Sequence, residues 1–233
     1  IGSAISGTVN NVSNFMSLPE QNELLTERVA HLEAELQLRD AEIAALMPTE
    51  ERVPIVDSLD AKFLYHPARV VTMTTNRRHN YIVLDRGANS GIYENMGVIT
   101  PNREFVGTVV SCSEKYAIVM PLLNTRFKIG GRLVGSDYVC SIYWEGVSQY
   151  DVTAVEISKY AEPKEGMIVN VESDRLPLDV KIGTIESSEI NASKSAYSAE
   201  LRIAADMQSL SNLLVVENTE QQQLDELIDL FQN

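Results

Sequence analysis

The chain has 233 residues, 44% of them hydrophobic, which is enough apolar material for one large domain or two small ones with a true core. Nineteen basic residues against thirty-three acidic ones leave a formal charge of −14, a surface that repels a phosphate backbone and so argues against nucleic acid as a partner. Two cysteines, Cys112 and Cys140, exclude a disulfide framework and a thiolate zinc site; a single bridge is the alternative to two inert thiols in strands.

The chain opens "IGSAISGTVNN" with no initiator Met, and it contains no run of about eighteen apolar residues, so no helix in it is expected to span a bilayer. A trimmed N-terminus, with or without a signal or anchor segment ahead of Ile1, is compatible with this opening.

Residues 18–47 carry the clearest element. Ser17 and Glu20 make a capping box for the first turn, where Pro19 is tolerated because those N–H groups lack intrahelical partners, and Pro48 stops the helix after Met47. Between these ends the apolar residues follow a heptad, with Leu18, Leu25, Leu32 and Leu46 at d and Val29, Leu36 and Ile43 at a. Asn22 at a and Arg39 at d are the exceptions, so seven of nine seam positions are apolar. So narrow a stripe predicts a parallel dimeric coiled coil, with Asn22 pairing with its twin to fix register. Arg28 at g is placed to meet Glu33 at e of the partner, whereas Glu35 would face Asp40. A helix packed on its own domain is the competing reading. His31 falls at an outward c position.

Beyond Pro48 the apolar period changes from 3.5 to 2. Runs such as "RVVTMTT", "YIVLD", "GVIT", "EFVGTVVS", "YAIVMPL", "RFKIGGRLV", "YVCSIYW", "YDVTAVEI", "MIVNV", "KIGTIE", "AELRIA" and "LLVVE" read as about twelve short strands, most of them separated by Gly, Pro, Asn or Asp. No helical pattern intervenes to build a parallel sheet, so barrels or a sandwich are expected. "ENMGVIT" followed by "FVGTVVS" is echoed by "KEGMIVN" followed by "KIGTIES". Two related six-stranded antiparallel barrels, at 48–130 and 131–217, account for both the count and the echo. The alternative is that "LLVVE" crosses back to complete the first barrel. Residues 218–233 form an amphipathic tail, with Leu224, Leu227, Ile228 and Phe231 on one helical face and acidic residues opposite.

Chemistry is hard to find. "LDRGANSGIYENMGVIT" (84–100) holds Gly87, Gly91 and Gly97 at spacings of four and six, with strand patterns on both sides and no Lys-Ser/Thr after it. That fits neither a dinucleotide loop nor a phosphate loop; Asn-Ser-Gly and Asn-Met-Gly are turn sequences. His31, His66 and His79 stand apart, no Ser lies in a nucleophile motif, and "GSD" at 135–137 reads as a turn. No His/Cys/Asp cluster has metal-ligand spacing. "RRH" at 77–79 is the densest basic spot and reads as a solvated hairpin tip; Tyr143 and Trp144 read as core or rim packing. No cofactor is expected.

The order of parts is similar to the extracytoplasmic portion of the rod shape-determining MreC family. "NNVSNFMSLPEQNELLTER" resembles its juxtamembrane segment, which assigns residues 1–17 to a juxtamembrane stretch. "VLDRGANSGIYENMGVITPNREFVGTVVSCSEKYAIVMPLLN" resembles its strand–glycine–strand signature at Gly87, Gly91, Met96-Gly97-Val98 and Val106-Gly107. "EPKEGMIVNVESDRLPLDVKIGTI" resembles the second signature through Leu176-Pro177 and Ile182-Gly183, and departs from it in lacking a Ser-Gly turn before the Pro.

The resemblance implies a single-pass inner-membrane protein without enzymatic activity. Such a protein dimerises through its helix, carries two β-barrels, and self-associates further. It scaffolds the machinery of lateral peptidoglycan synthesis through a penicillin-binding transpeptidase, MreD and other elongation proteins. Gly87, Gly91, Gly97, Gly107 and Gly183 are then the signature's turn glycines. Two rivals stand beside this reading. A periplasmic adaptor of an efflux or secretion system needs a returning helical hairpin with β segments on both sides. A double-barrel hydrolase needs a triad.

Overall fold

A computed structural model describes residues 24–35, 62–191 and 195–221. Residues 24–35 are helical. Twelve strands follow: β1 (Phe63–Met73), β2 (Ile82–Leu84), β3 (Gly97–Ile99), β4 (Phe105–Cys112), β5 (Ala117–Pro121), β6 (Lys128–Leu133), β7 (Val139–Tyr143), β8 (Asp151–Ser158), β9 (Ile168–Glu172), β10 (Lys181–Ile190), β11 (Ala196–Ile203) and β12 (Asn212–Asn218). Each overlaps one of the period-2 runs, although β1 begins six residues before "RVVTMTT" and β10 and β11 outrun theirs. Alternation buries one face of each strand, as in β8, where Val152, Ala154 and Ile157 are buried.

The strands close into two six-stranded barrels, ordered β1-β12-β3-β4-β5-β2 and β10-β11-β8-β7-β6-β9. Phe63, Ile82, Leu84, Ile99 and Phe105 fill the first, and Leu133, Ile142, Ile157 and Ile182 the second. Each such side chain contributes about 1.5–3 kcal/mol by leaving water. β12 comes from the far end of the chain and inserts between β1 and β3, so the second barrel is an insertion into the first. The second barrel also begins earlier than the expected residue 131. β5 is followed by buried Leu122 and Leu123, a turn closes from Phe127 N–H to the Asn124 carbonyl, and β6 starts at Lys128.

Walking round the two barrels shows that they share one plan. The neighbours β3-β4-β5-β2-β1-β12 correspond to β9-β10-β11-β8-β7-β6. In sequence order the second barrel is β6 to β11 and the first is β12 followed by β1 to β5, a circular permutation. The echo noted in the sequence is the conserved corner of this plan. Met96 Sδ accepts from Tyr93 N–H and Met167 Sδ accepts from Lys164 N–H. Asn95 and Gly166 take positive φ, 69° and 84°. The Met96 and Met167 carbonyls then accept from Val109 and Ile185. In both barrels a β-bulge follows, at Val110 in β4 and at Glu186 in β10.

Candidate interaction site

The described residues hold no group of three His, Cys, Asp or Glu side chains able to bind a metal ion. His66 Nε2 lies 2.7 Å from Glu217 Oε2 across β1 and β12. His79 pairs by its backbone with Asn124, and His31 is exposed on the helix. Cys112 and Cys140 are both free thiols and sit in different barrels. Burial pushes the Cys140 thiol up to about 12, against a smaller opposing pull from its contact with Gly131, so it is not a thiolate at neutral pH. Trp144 is buried and donates to the Ser148 carbonyl.

What the fold does assemble is a three-way junction. The helix lies on the first barrel through Thr26, Val29, Ala30 and Glu33, an i, i+3, i+4, i+7 face; Thr26 and Ala30 are 6% and 8% exposed. Glu27 faces Arg86 at 4.0 Å. Arg103, in the turn between β3 and β4 with φ 61°, donates to Glu33 Oε2 at 2.7 Å and to Asp179 Oδ1 of the second barrel at 2.6 Å. Its burial alone lowers its pKa, but Tyr65, Asp179 and Glu33 outweigh that and raise it. The barrels are further joined where Lys181 N–H donates to the Arg103 carbonyl and Asn218 Nδ2 to the Asp174 carbonyl. At Gly97 a Cβ would collide with the buried Leu176 side chain of the second barrel, so the two sequence signatures meet there in space.

This changes how several predicted residues read. Gly87 and Gly91 lie in the turn between β2 and β3, where Gly91 takes φ 78°. Gly97, Gly107 and Gly183 are not turn glycines: they lie in strands, and a Cβ on Gly107 or Gly183 would strike the Met120 or Arg202 carbonyl of the next strand. Close approach, not positive φ, requires them. Of the heptad positions, Leu25 and Leu32 are 61% and 42% exposed, while Val29 is half-buried against the barrel. Glu33, expected to meet a partner's Arg28, pairs with Arg103 of its own barrel. Leu18, Asn22, Leu36, Ile43, Leu46, the caps of the helix and the tail beyond 221 lie outside the described residues. No helix among the described residues is long and apolar enough to cross a membrane.

Arg103 and Asp179 gave no signal in the sequence, since a lone Arg in a turn reads as solvated. Glu33 was visible, but only as a heptad e position. The docking face carried a signal that the heptad overshadowed: Thr26, Ala30 and Ala34, small residues four apart, allow a helix to approach a sheet closely.

Comparison with known proteins converges on one family. The model for "Rod shape-determining protein MreC, barrel core" matches residues 70–217, which take in the end of β1 from Val70, all of β2 to β11 and nearly all of β12. The cell shape-determining protein MreC of Listeria monocytogenes is 23% identical over 228 residues, covering 93% of this chain and 75% of that protein. The solved MreC structure from Listeria monocytogenes superposes with a TM-score of 0.63 at 22% identity, covering 85% of this chain and 96% of that one. MreC from Helicobacter pylori, solved in complex with a Penicillin-Binding Protein (PBP2), gives a TM-score of 0.55 at 17% identity, covering 67% of this chain and 99% of that one. With the family's barrel core matching more than half of its residues, this chain belongs to the rod shape-determining MreC family.

Proposed function

We propose that the chain is a non-enzymatic scaffold of the cell-elongation machinery. It works on the periplasmic face of the inner membrane, held by an anchor N-terminal to Ile1, and docks a penicillin-binding transpeptidase together with MreD. The observation that carries the transpeptidase contact is the fold shared with the Helicobacter pylori MreC that was solved bound to PBP2.

Dimerisation belongs to the same reading. Leu25 and Leu32 are large apolar side chains left in water on the helix face turned away from the barrel, as a seam awaiting a partner would be. In such a dimer the d-position leucines form the seam, while Val29 is shared with the chain's own barrel. The helix then serves two neighbours at once.

The test is a cross-linked pull-down from solubilised bacterial envelope with the 1–233 chain as bait. Recovery of a penicillin-binding transpeptidase and MreD is the expected result. Recovery of a transporter and an outer-membrane channel would replace the scaffold with a periplasmic adaptor.

A further inference from the structure

The first barrel carries an apolar surface that its fold does not require. At the bulges of β1 and β4 the extra outward residues are Val71 and Val110, 54% and 41% exposed. Between them in register lie Val83 of β2 and Ile118 of β5, the latter 42% exposed. This row crosses four adjacent strands, three gaps of ~4.8 Å or about 14 Å. The same row of the second barrel reads Tyr143, Thr153, Glu200 and Glu186. An identical backbone therefore accepts acidic residues at the positions where the first barrel exposes Ile118 and Val110.

The charge around the row is as unusual as its hydrophobicity. Neither 61–84 nor 115–136 contains an Asp or Glu, in a chain with thirty-three of them, yet together they hold eight of its nineteen Lys and Arg residues. The fold sets the two stretches side by side through β2 and β5. It also fixes the basic end of the surface. Buried Asn80 donates to the Leu123 carbonyl at 2.6 Å and buried Asn124 to the Asn80 carbonyl at 2.8 Å, which clamps the exposed Arg77–His79 tip to the segment carrying Arg126 and Lys128. Among the described residues no ion pair engages Arg77, Arg78, Arg126 or Lys128.

We propose that this face of the first barrel docks the acidic segment 222–233 of a second copy of the chain. The proposal does not depend on the scaffold reading. Residues 218–233 hold Glu220, Asp225, Glu226 and Asp229 and no Lys or Arg, so the charges are complementary. At helical spacing Leu224, Leu227, Ile228 and Phe231 would line one side over about 10 Å, enough to cover most of the apolar row. Taken as a helix, the chain's own segment would be too short to reach the row. It leaves from Gln221, which bonds to Asn218, the partner of Phe63 on β1. Val71 lies eight residues further along that strand, roughly 26 Å away, whereas a twelve-residue helix reaches ~18 Å. A contact between unlike surfaces of successive copies is heterologous and adds copies in a line rather than closing a pair.

The test titrates a fluorescent peptide of residues 218–233 with the full chain and reads anisotropy. Saturable binding is expected, weakened roughly tenfold or more by Ile118→Glu in the chain and by Leu227→Ser with Phe231→Ser in the peptide. Ile118→Glu should melt with the parent, because Glu200 occupies the equivalent place in the second barrel. Binding that is absent, or equal for Ile118→Glu, overturns the proposal. The same titration is run on a full chain carrying Leu227→Ser and Phe231→Ser. Binding to that chain but not to the parent would mean that each copy covers its own row, overturning the second-copy assignment. Phosphatidylglycerol vesicles are the last arm: adsorption that Ile118→Glu abolishes, with no peptide binding, would make the occupant a lipid surface instead.

Discussion

The corner β3-β4-β5 of the first barrel and the corner β9-β10-β11 of the second have the same hydrogen bonds, the same methionine-closed turn and the same bulge, but opposite surfaces. In the second, Glu186 on the bulge pairs with Arg202 at 2.8 Å and Arg202 reaches Asp151 at 3.0 Å. Arg132 and Glu172 form a further pair on the same barrel. In the first, the bulge carries Val110 beside Ile118 and nothing polar answers them. The backbone plan is what the barrel needs in order to close. The side chains outside it are free to differ, so their chemistry reports on partners rather than on folding.

The strongest challenge to this equivalence lies at its glycines. Gly107→Val and Gly183→Val should each cost about 3 kcal/mol, the upper range for overpacking, because the Cβ meets a cross-strand carbonyl in both cases. Urea titration of the two variants checks this, and a loss confined to one of them would show that the corners are not equivalent. The junction comes next. Arg103→Met strands Glu33 and Asp179, and its expected cost is about 2 kcal/mol. Amide exchange across residues 24–35 should quicken with it, a readout that a defect confined to the barrels would not move.

Smaller effects separate the two surfaces. Arg132→Met on the second barrel removes a largely solvated pair and should cost at most about 1 kcal/mol, with helix exchange unchanged. Its signature is a pH dependence. The hydrogen bond from Arg132 holds the Glu172 carboxyl below its ordinary range. A carboxyl depressed in the folded state stabilises above its unfolded pKa, and that contribution is lost as pH falls through the folded value. Unfolding midpoints taken from about pH 6 down to about pH 3 should therefore fall more in the parent than in Arg132→Met, by a few tenths of a kcal/mol. Equal slopes would mean that the pair contributes nothing. The smallest expected change is in Glu200→Ile, which should leave stability within about 0.5 kcal/mol while giving the second barrel the exposed apolar character of the first. Light scattering would show whether one such residue is enough to alter association.

Much of this architecture was legible in the residues. Twelve strands could be read because a half-buried sheet imposes a period of 2 that Gly, Asn and Pro interrupt, and the echo between "ENMG" and "KEGM" marked a real structural repeat. The return of β12 was less legible: its partners, Tyr65 and Val98, lie more than a hundred residues away, and no local pattern encodes a pairing. The surface row was illegible for a related reason. Val71 and Val110 sit in apolar runs that look like core, and only the bulges turn them outward. Arg103 was hidden as well, since one arginine in a turn acquires meaning only when two distant elements bring it carboxylates.

The placement of β12 also fixes how the molecule responds to tension. Phe63, where the chain enters the first barrel, and Asn218, where it leaves, are paired neighbours at one end of the same two strands. A pull between the helix and the segment beyond 218 therefore acts on the first rung of the β1–β12 ladder and opens it one bond at a time. The covalent path of the load bypasses the second barrel, which both of its ends tie to the first and which meets the pulled segments only through side-chain bonds such as Asn218 to Asp174. Under strain along the chain, the first barrel yields as a zipper, and the second remains closed.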